Sequence, residues 1–316
     1  MMIQILEPAD YSPDAINIYR QLGEVVTGAC DNSKKPQVNL LVSRLSVQLD
    51  RHFLDPYTSL EAIASPTTGL SHIDTEYCRR RSITVYSLQQ HRAGIEKITS
   101  TSELAFGLML ALLRSIPRAC DSVVHNHQWQ RELFRARQLS ELTLGLVGLG
   151  RTGGHMAGYA KAFGMRVLAH DPWTSDERFS QLGVVRRELN DLCRQADIIS
   201  IHANERNDNH HLLGQEQIAL MKHDALLINT ARGSLLDESA VAAAVLEQRL
   251  GGVACDVLEY ETTPGFITRS PLARAAAAGA NVLLTPHIGG CTRDAMHMTE
   301  AMLAQRVSSS LELHHG

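Results

Sequence analysis

LTLGLVGLGRTGGHMAGYAKAFGMRVLAHD, residues 142–171, is the stretch that decides the fold. It opens on an apolar run of strand character (142–148) and turns through Gly148-Leu149-Gly150-Arg151-Thr152-Gly153. A helical pattern (154–163) follows, and a second strand, MRVLAHD (165–171), closes the unit. Glycines at GxGxxG spacing occur in many loops, but between a strand and a helix they form the turn that receives a dinucleotide. Gly148 permits the tight turn, Gly150 lets a pyrophosphate approach the backbone, and Gly153 lets the helix lie close on the strand. Arg151 and Thr152 complete the loop at the start of the helix, whose free N–H groups and positive end face the phosphates. Asp171 stands eighteen residues after Gly153. A carboxylate there accepts from a ribose 2′-hydroxyl and repels a 2′-phosphate, so the pattern favours NAD over NADP.

Outward from this stretch, short β-rich runs alternate with helical ones, the signature of parallel sheets built from βαβ units. After it come DIISIHA (197–203), ALLINTA (225–231), GGVACDV (251–257) and NVLLTPH (281–287), with a weaker GVVR at 183–186. Before it come IQIL (3–6), VNLLVS (38–43), LEAIASP (60–66) and ITVYSL (83–88), with a helical stretch at 12–22. Residues 102–123 read as one long helix, apolar on most turns and therefore buried between two bodies, domains or subunits. A last helix, about 292–313, is expected to return to the N-terminal half. The expected class is α/β, with one domain made of 1–98 and 290–316 and the other of 99–289.

Composition narrows the function. The 316 residues are 44% hydrophobic and 20% charged, with a net charge of −4 and a pI near 6.4. Such a balance offers no broad basic face for phosphate backbones, so no nucleic-acid partner is expected. No apolar run reaches the 18 or so residues that span a bilayer, and no membrane partner is expected. The N-terminus lacks the basic region of a secretory signal. The six cysteines are scattered, without a CxxC pair, which points to reduced thiols, a cytoplasmic location and no metal site.

In an open parallel sheet, ligands sit beyond the carboxyl ends of the strands. Arg232 follows LLINTA, Asp256 closes GGVACD, Glu261 lies five residues on, and His287 closes NVLLTPH. The set falls on one sheet edge with the glycine loop, where a merely solvated surface would scatter it along helices.

These segments, with SPTTGLSHID (65–74) and TSELAFGLMLALLRSIPRA (101–119), resemble the D-isomer-specific 2-hydroxyacid dehydrogenases, a family that includes phosphoglycerate, hydroxypyruvate and D-lactate dehydrogenases. The resemblance implies two Rossmann-like, doubly wound parallel-sheet domains, a flavodoxin-like substrate domain and an NAD-binding domain. It also implies a homodimer, and a small 2-oxo or 2-hydroxy acid as substrate. By it, His287 is the catalytic acid/base, Glu261 its carboxylate partner and Arg232 the catalytic, substrate-binding arginine. Thr68 and Gly69 hold the substrate carboxylate. His202, Thr230, Ala231, Asp256 and Gly289 join the glycine loop and Asp171 at the cofactor, Asp256 near the nicotinamide carboxamide. The two domains then meet at a cleft whose closure excludes water.

The chemistry agrees with these roles. Reduction of a 2-oxo acid places a hydride on C2 while the carbonyl oxygen becomes an alkoxide. A protonated imidazole delivers the proton, typically worth about 10²–10⁴-fold, and a neighbouring carboxylate orients the ring and favours its charged form. Arg232 offers a planar fork for a carboxylate. Glu259 competes with Glu261 for the orienting role, because two acids flank Tyr260.

Other features are read as structural. His125 and His127 are expected on the surface or at an interface, and His210, His211, His314 and His315 in solvent. Cys291 reads as a small packing residue, and Trp129, matching a tryptophan that follows the long helix in the family, as packed. The sequence also departs from the family. Ser65, where phosphoglycerate dehydrogenases often carry Arg, removes a partner for a substrate phosphate. Ala203-Asn204-Glu205-Arg206 replaces a proline-containing stretch beside the cofactor. The stretch between Glu261 and His287 is a few residues longer than usual. With the sequence ending at Gly316, the regulatory domain of many serine-pathway enzymes is not expected. Two other functions fit the same fold: an NAD(H)-sensing protein resembling the family's transcriptional co-repressors, and a phosphite or formate dehydrogenase holding a smaller anion.

Overall fold

The structure is a computed structural model that describes residues 1–89 and 92–315. The side chains of His314 and His315 lie outside what is described. The chain divides into two compact units, Met1–Ile98 with Cys291–Gly316, and Thr99–Gly290. Gly290 therefore groups with the central segment and not with the C-terminal helix.

The first unit holds five parallel strands, β1 (Met2–Ile5), β2 (Glu24–Thr27), β3 (Leu40–Val42), β4 (Ala62–Ser65) and β5 (Thr84–Ser87). Their order is β2-β1-β3-β4-β5, the flavodoxin-like arrangement. Side chains alternate between faces: Ile3, Ile5, Leu40, Val42 and Ala64 enter one core, while Leu41 and Ile63 enter the other. The C-terminal helix Arg293–His315 packs on the helix Pro13–Leu22 and supplies Leu303, Ala304 and Val307 to the first of these cores. Ser12 caps the latter helix, its hydroxyl accepting from the Ala15 N–H, with Pro13 at the first helical position. Strand β2 was not foreseen. Its EVVT sequence lies at the sheet edge, half-buried or exposed at every position, so it lacks the continuous apolar run of a central strand.

The second unit holds seven parallel strands: β6 (Thr143–Val147), β7 (Arg166–His170), β8 (Val185–Arg186), β9 (Ile198–Ile201), β10 (Leu226–Asn229), β11 (Gly252–Cys255) and β12 (Val282–Leu284). Their order is β12-β11-β10-β9-β6-β7-β8, which places the topological switch of a Rossmann sheet between β6 and β9. Strands β9, β10 and β11 are buried at every position. Leu226 and Ile228 face one core and Leu227 the other. Each such Leu or Ile contributes about 1.5–3 kcal/mol by leaving water.

Residues 102–123 are not one helix. Helix Ser100–Leu113 stops at Arg114, Ser115 turns left-handed (φ 49°), and a second helix runs Ile116–Val124. Pro117 forces the break: inside a continuous helix it would lack the N–H for Leu113 and its ring would collide with that carbonyl. The first helix covers the seven-stranded sheet, packing on β10, β11, β12 and helix Arg151–Ala162, so its apolar faces are absorbed within one unit. Trp129 is 88% exposed and Cys291 is exposed; neither packs as expected, because neither falls on an element that the chain covers.

Candidate active site

The glycine loop leaves the carboxyl end of β6. Gly148 is left-handed (φ 98°), and a Cβ there would stand 2.7 Å from the backbone at His202 and Ala203. A Cβ on Gly153 would stand 2.2 Å from the Gly148 carbonyl. Among the described residues, nothing lies within 4 Å of a Cβ on Gly150, so no contact with them requires that glycine. Arg151 and Thr152 open helix Arg151–Ala162, whose N-terminus has no side-chain cap among the described residues. The Thr152 carbonyl accepts from Ser102 Oγ (3.1 Å), tying this helix to Ser100–Leu113. An uncapped helix start beside an open backbone suits a phosphate. Asp171, the first residue after β7, accepts from the Leu149 N–H (2.8 Å) and the Trp173 N–H (2.9 Å), which fixes its carboxylate against the loop.

Beyond β9, the His202 ring turns inward to Ser200 Oγ (2.8 Å), and burial lowers its pKa to about 4. It sits beneath the glycine turn as a neutral group. Beyond β10, Thr230 is buried and its Oγ1 has no hydrogen-bond partner among the described residues. A buried hydroxyl of this kind is one a polar ligand would satisfy. The open Gly150, the uncapped helix and this hydroxyl together fit a bound NAD. The Ala231 N–H donates to Asn229 Oδ1 (3.0 Å), and Asn229 Nδ2 donates to the Arg232 carbonyl (2.9 Å), fixing the turn. Arg232 Nη1 donates to the Ala231 carbonyl (2.5 Å).

Asp256, 2% exposed at the end of β11, organises the loop after β12. Its Oδ1 accepts from Thr285 Oγ1 (2.6 Å) and the Ile288 N–H (2.8 Å), and its Oδ2 from the Gly289 N–H (2.7 Å). A Cβ on Gly289 would stand 2.9 Å from Asp256 Oδ2, so Gly289 is needed for this approach. The His287 N–H donates to the Asp256 carbonyl (2.8 Å), and His287 itself is left-handed (φ 53°). Its Nδ1 meets Glu261 Oε1 at 2.7 Å, and Glu261 Oε2 accepts from the Leu258 N–H (3.2 Å).

Glu259 does not reach His287. Its carboxylate faces His210 and His211, which are bonded to it and not simply solvated. Two residues were missed in the sequence. Gly233 packs on the backbone at Leu258 and Glu259, where a Cβ would come within 2.2 Å of the Glu259 nitrogen. Glu238, buried and with its pKa raised by that burial, accepts from the Glu259 N–H (2.6 Å) and from Ser270 Oγ (3.2 Å). In sequence, Glu238 is only an acidic first-turn residue after the cap Asp237. Thr68 and Gly69 lie in the first unit, just beyond β4, where Thr67 Oγ1 donates to the Gly69 carbonyl (2.7 Å). Ser65 is buried and shares its hydroxyl with Thr67 and His72.

Residues 106–289 match the family model described as "D-isomer specific 2-hydroxyacid dehydrogenase, NAD binding domain". The chain belongs to that family. The matched stretch lies within the second unit, which is therefore the family's NAD-binding domain. The chain is 33% identical, over 98% of its length, to a D-3-phosphoglycerate dehydrogenase of Methanocaldococcus jannaschii, of which it covers 58%. It is 32% identical to a hydroxypyruvate reductase of Thermotoga maritima, covering 87% of this chain and 86% of that one. It spans about half the length of the phosphoglycerate dehydrogenases it matches, 58% and 47%. Among solved structures, a D-lactate dehydrogenase from Aquifex aeolicus complexed with NAD and lactic acid superposes with a TM-score of 0.82 at 27% identity, over 99% of this chain and 96% of that one. Among the described residues, no helix is long and apolar enough to cross a membrane.

Proposed function

We propose that this dehydrogenase interconverts a small 2-oxo acid and the corresponding D-2-hydroxy acid. The observation that carries this reading is the His287–Glu261 pair, 2.7 Å apart and just beyond the carboxyl end of β12. The glycine loop, Asp171 and Thr230 would hold NADH, which would supply the hydride for the 2-oxo carbon. A carboxylate only accepts hydrogen bonds, so Glu261 leaves the hydrogen on Nδ1 of His287 and the proton to be transferred on Nε2. His287 gives that proton to the carbonyl oxygen in reduction and takes it from the hydroxyl in oxidation. Arg232 binds the substrate carboxylate and stabilises charge on the oxygen as it develops. Asp171 selects the unphosphorylated ribose, and the Thr68–Gly69 loop contributes to substrate binding.

The relatives act, by their names, on phosphoglycerate and hydroxypyruvate, and the similar structure holds lactic acid. We assign this chain to the same chemistry on hydroxypyruvate, glyoxylate, pyruvate or a phosphorylated relative. The test is NADH consumption across 2-oxo acids differing in length, charge and phosphorylation. Turnover of one or two members is expected. Full NADH binding with no turnover of any member would overturn the proposal.

The same family relationship suggests a homodimer. Ile116, Val123, Val124, Trp129 and Leu133 expose apolar side chains on consecutive segments of the second unit, which suits contact with a second copy. Sedimentation at micromolar concentration should give twice the 34.8 kDa chain mass, and Leu133→Arg should shift the species toward monomer.

A further inference from the structure

His210 and His211 present both rings to one carboxylate. His210 Nε2 stands 2.9 Å from Glu259 Oε1, and His211 Nε2 stands 3.2 Å from Oε2. Side chains of successive residues in an extended chain point to opposite sides. Here His211 adopts a left-handed backbone (φ 50°), and the two rings stack with centroids 3.9 Å apart. One ligand atom from each of the three residues falls within 4.8 Å of the others, a grouping that no other His, Cys, Asp or Glu set among the described residues achieves. The backbone on both sides is anchored. The His211 N–H donates to the Ser234 carbonyl (2.7 Å), and the Glu259 N–H donates to the buried Glu238 (2.6 Å). Among the described residues, no side-chain hydrogen bond links the three to the His287–Glu261 pair.

We propose that His210, His211 and Glu259 form a binding site for one transition-metal ion of the Zn²⁺ class. Two imidazole nitrogens and a carboxylate are a donor set that suits such ions, whereas Mg²⁺ and Ca²⁺ prefer all-oxygen shells. Three protein ligands leave the fourth tetrahedral position to water. Binding replaces the two imidazole–carboxylate hydrogen bonds with coordinate bonds, and any proton held on either Nε2 is released to solvent. The ion joins the 209–211 loop to the 258–261 segment, two residues from Glu261.

The experiment is titration of the full chain with Zn²⁺ by calorimetry, with Co²⁺ absorption as a second readout. One equivalent should bind, and Co²⁺ should give the intense visible bands of a tetrahedral site. His210→Asn and His211→Asn should each weaken Zn²⁺ binding by at least the roughly 10–100-fold that loss of an outer-shell partner costs. The His210 side chain is 58% exposed, so its substitution should leave the melting temperature unchanged and keep the test independent of folding. His287→Asn should leave the metal affinity as it is. Absence of binding, binding that survives both histidine variants, or binding lost in His287→Asn would each overturn the proposal.

Discussion

His287 Nδ1 and Glu261 Oε1 meet at 2.7 Å, and no hydrogen bond among the described residues engages His287 Nε2. One nitrogen is thus held, and the proposed reaction uses the other for proton transfer. His287→Asn should lower turnover by the roughly 10²–10⁴-fold that a positioned acid/base contributes, with NADH affinity changed little. Glu261→Gln should slow turnover as well, and Glu259→Gln should slow it far less, since Glu259 faces His210 and His211. Steady-state kinetics with a fluorescence titration of NADH separate these effects. Equal losses in the two glutamate variants would exclude a special role for Glu261.

Two glycines of one loop should respond oppositely to the same substitution. At Gly150 a Cβ meets nothing within 4 Å, so Gly150→Ala should fold with an unchanged melting temperature and bind NADH more weakly. At Gly153 the Cβ would stand 2.2 Å from the Gly148 carbonyl, so Gly153→Ala should be destabilised by several kcal/mol or fail to fold. Thermal melts and NADH titrations of both proteins check the contrast. A Gly150→Ala protein with full NADH affinity would remove the glycine loop from the cofactor site.

Asp256 accepts three hydrogen bonds from the 285–289 loop. Asp256→Asn replaces one carboxylate oxygen with a donor, so at least one buried donor loses its acceptor, at about 1–3 kcal/mol. The expected result is a lower urea midpoint together with reduced turnover, because His287 rides on the displaced loop. Unaltered kinetics in a destabilised protein would confine Asp256 to folding.

His202 gives a pH dependence of stability. Its pKa falls from the ordinary 6.5 to about 4 because burial penalises the charged ring. Between those values the unfolded chain takes up a proton that the native ring refuses, so stability drops as pH falls from about 6.5 and levels off below about 4. The full loss is on the order of 3 kcal/mol. Urea unfolding of the wild type and His202→Gln at pH 7 and pH 4.5 tests this; the variant should lose less stability on acidification. Equal losses would refute it.

The alternation of β-rich runs, the glycine loop and the acid at position 171 were all readable, because each is local: a strand buried on both faces, a turn needing glycines, a residue at a strand end. The edge strand β2 was not readable, since half-buried positions carry no strong pattern. The helix break at Ser115 had a local signal in Pro117, but the apolar run on both sides masked it.

The roles left open by the sequence were separated by distances along no single segment. Two acids flank Tyr260 with equal chemistry; the family resemblance favours Glu261, but nothing local to the segment divides them. Tyr260 is left-handed (φ 62°), the packing of Gly233 on Leu258 and Glu259 fixes the segment, and the carboxylates of Glu259 and Glu261 meet different histidines. His210 and His211 read as solvated for the same reason: their partner lies forty-eight residues away from His211, on another loop. Backbone pattern and turn chemistry are written into neighbouring residues, so the sequence determined the two parallel sheets and the dinucleotide loop. Which carboxylate meets which imidazole depends on loops converging from different strands, and only the tertiary structure decided that.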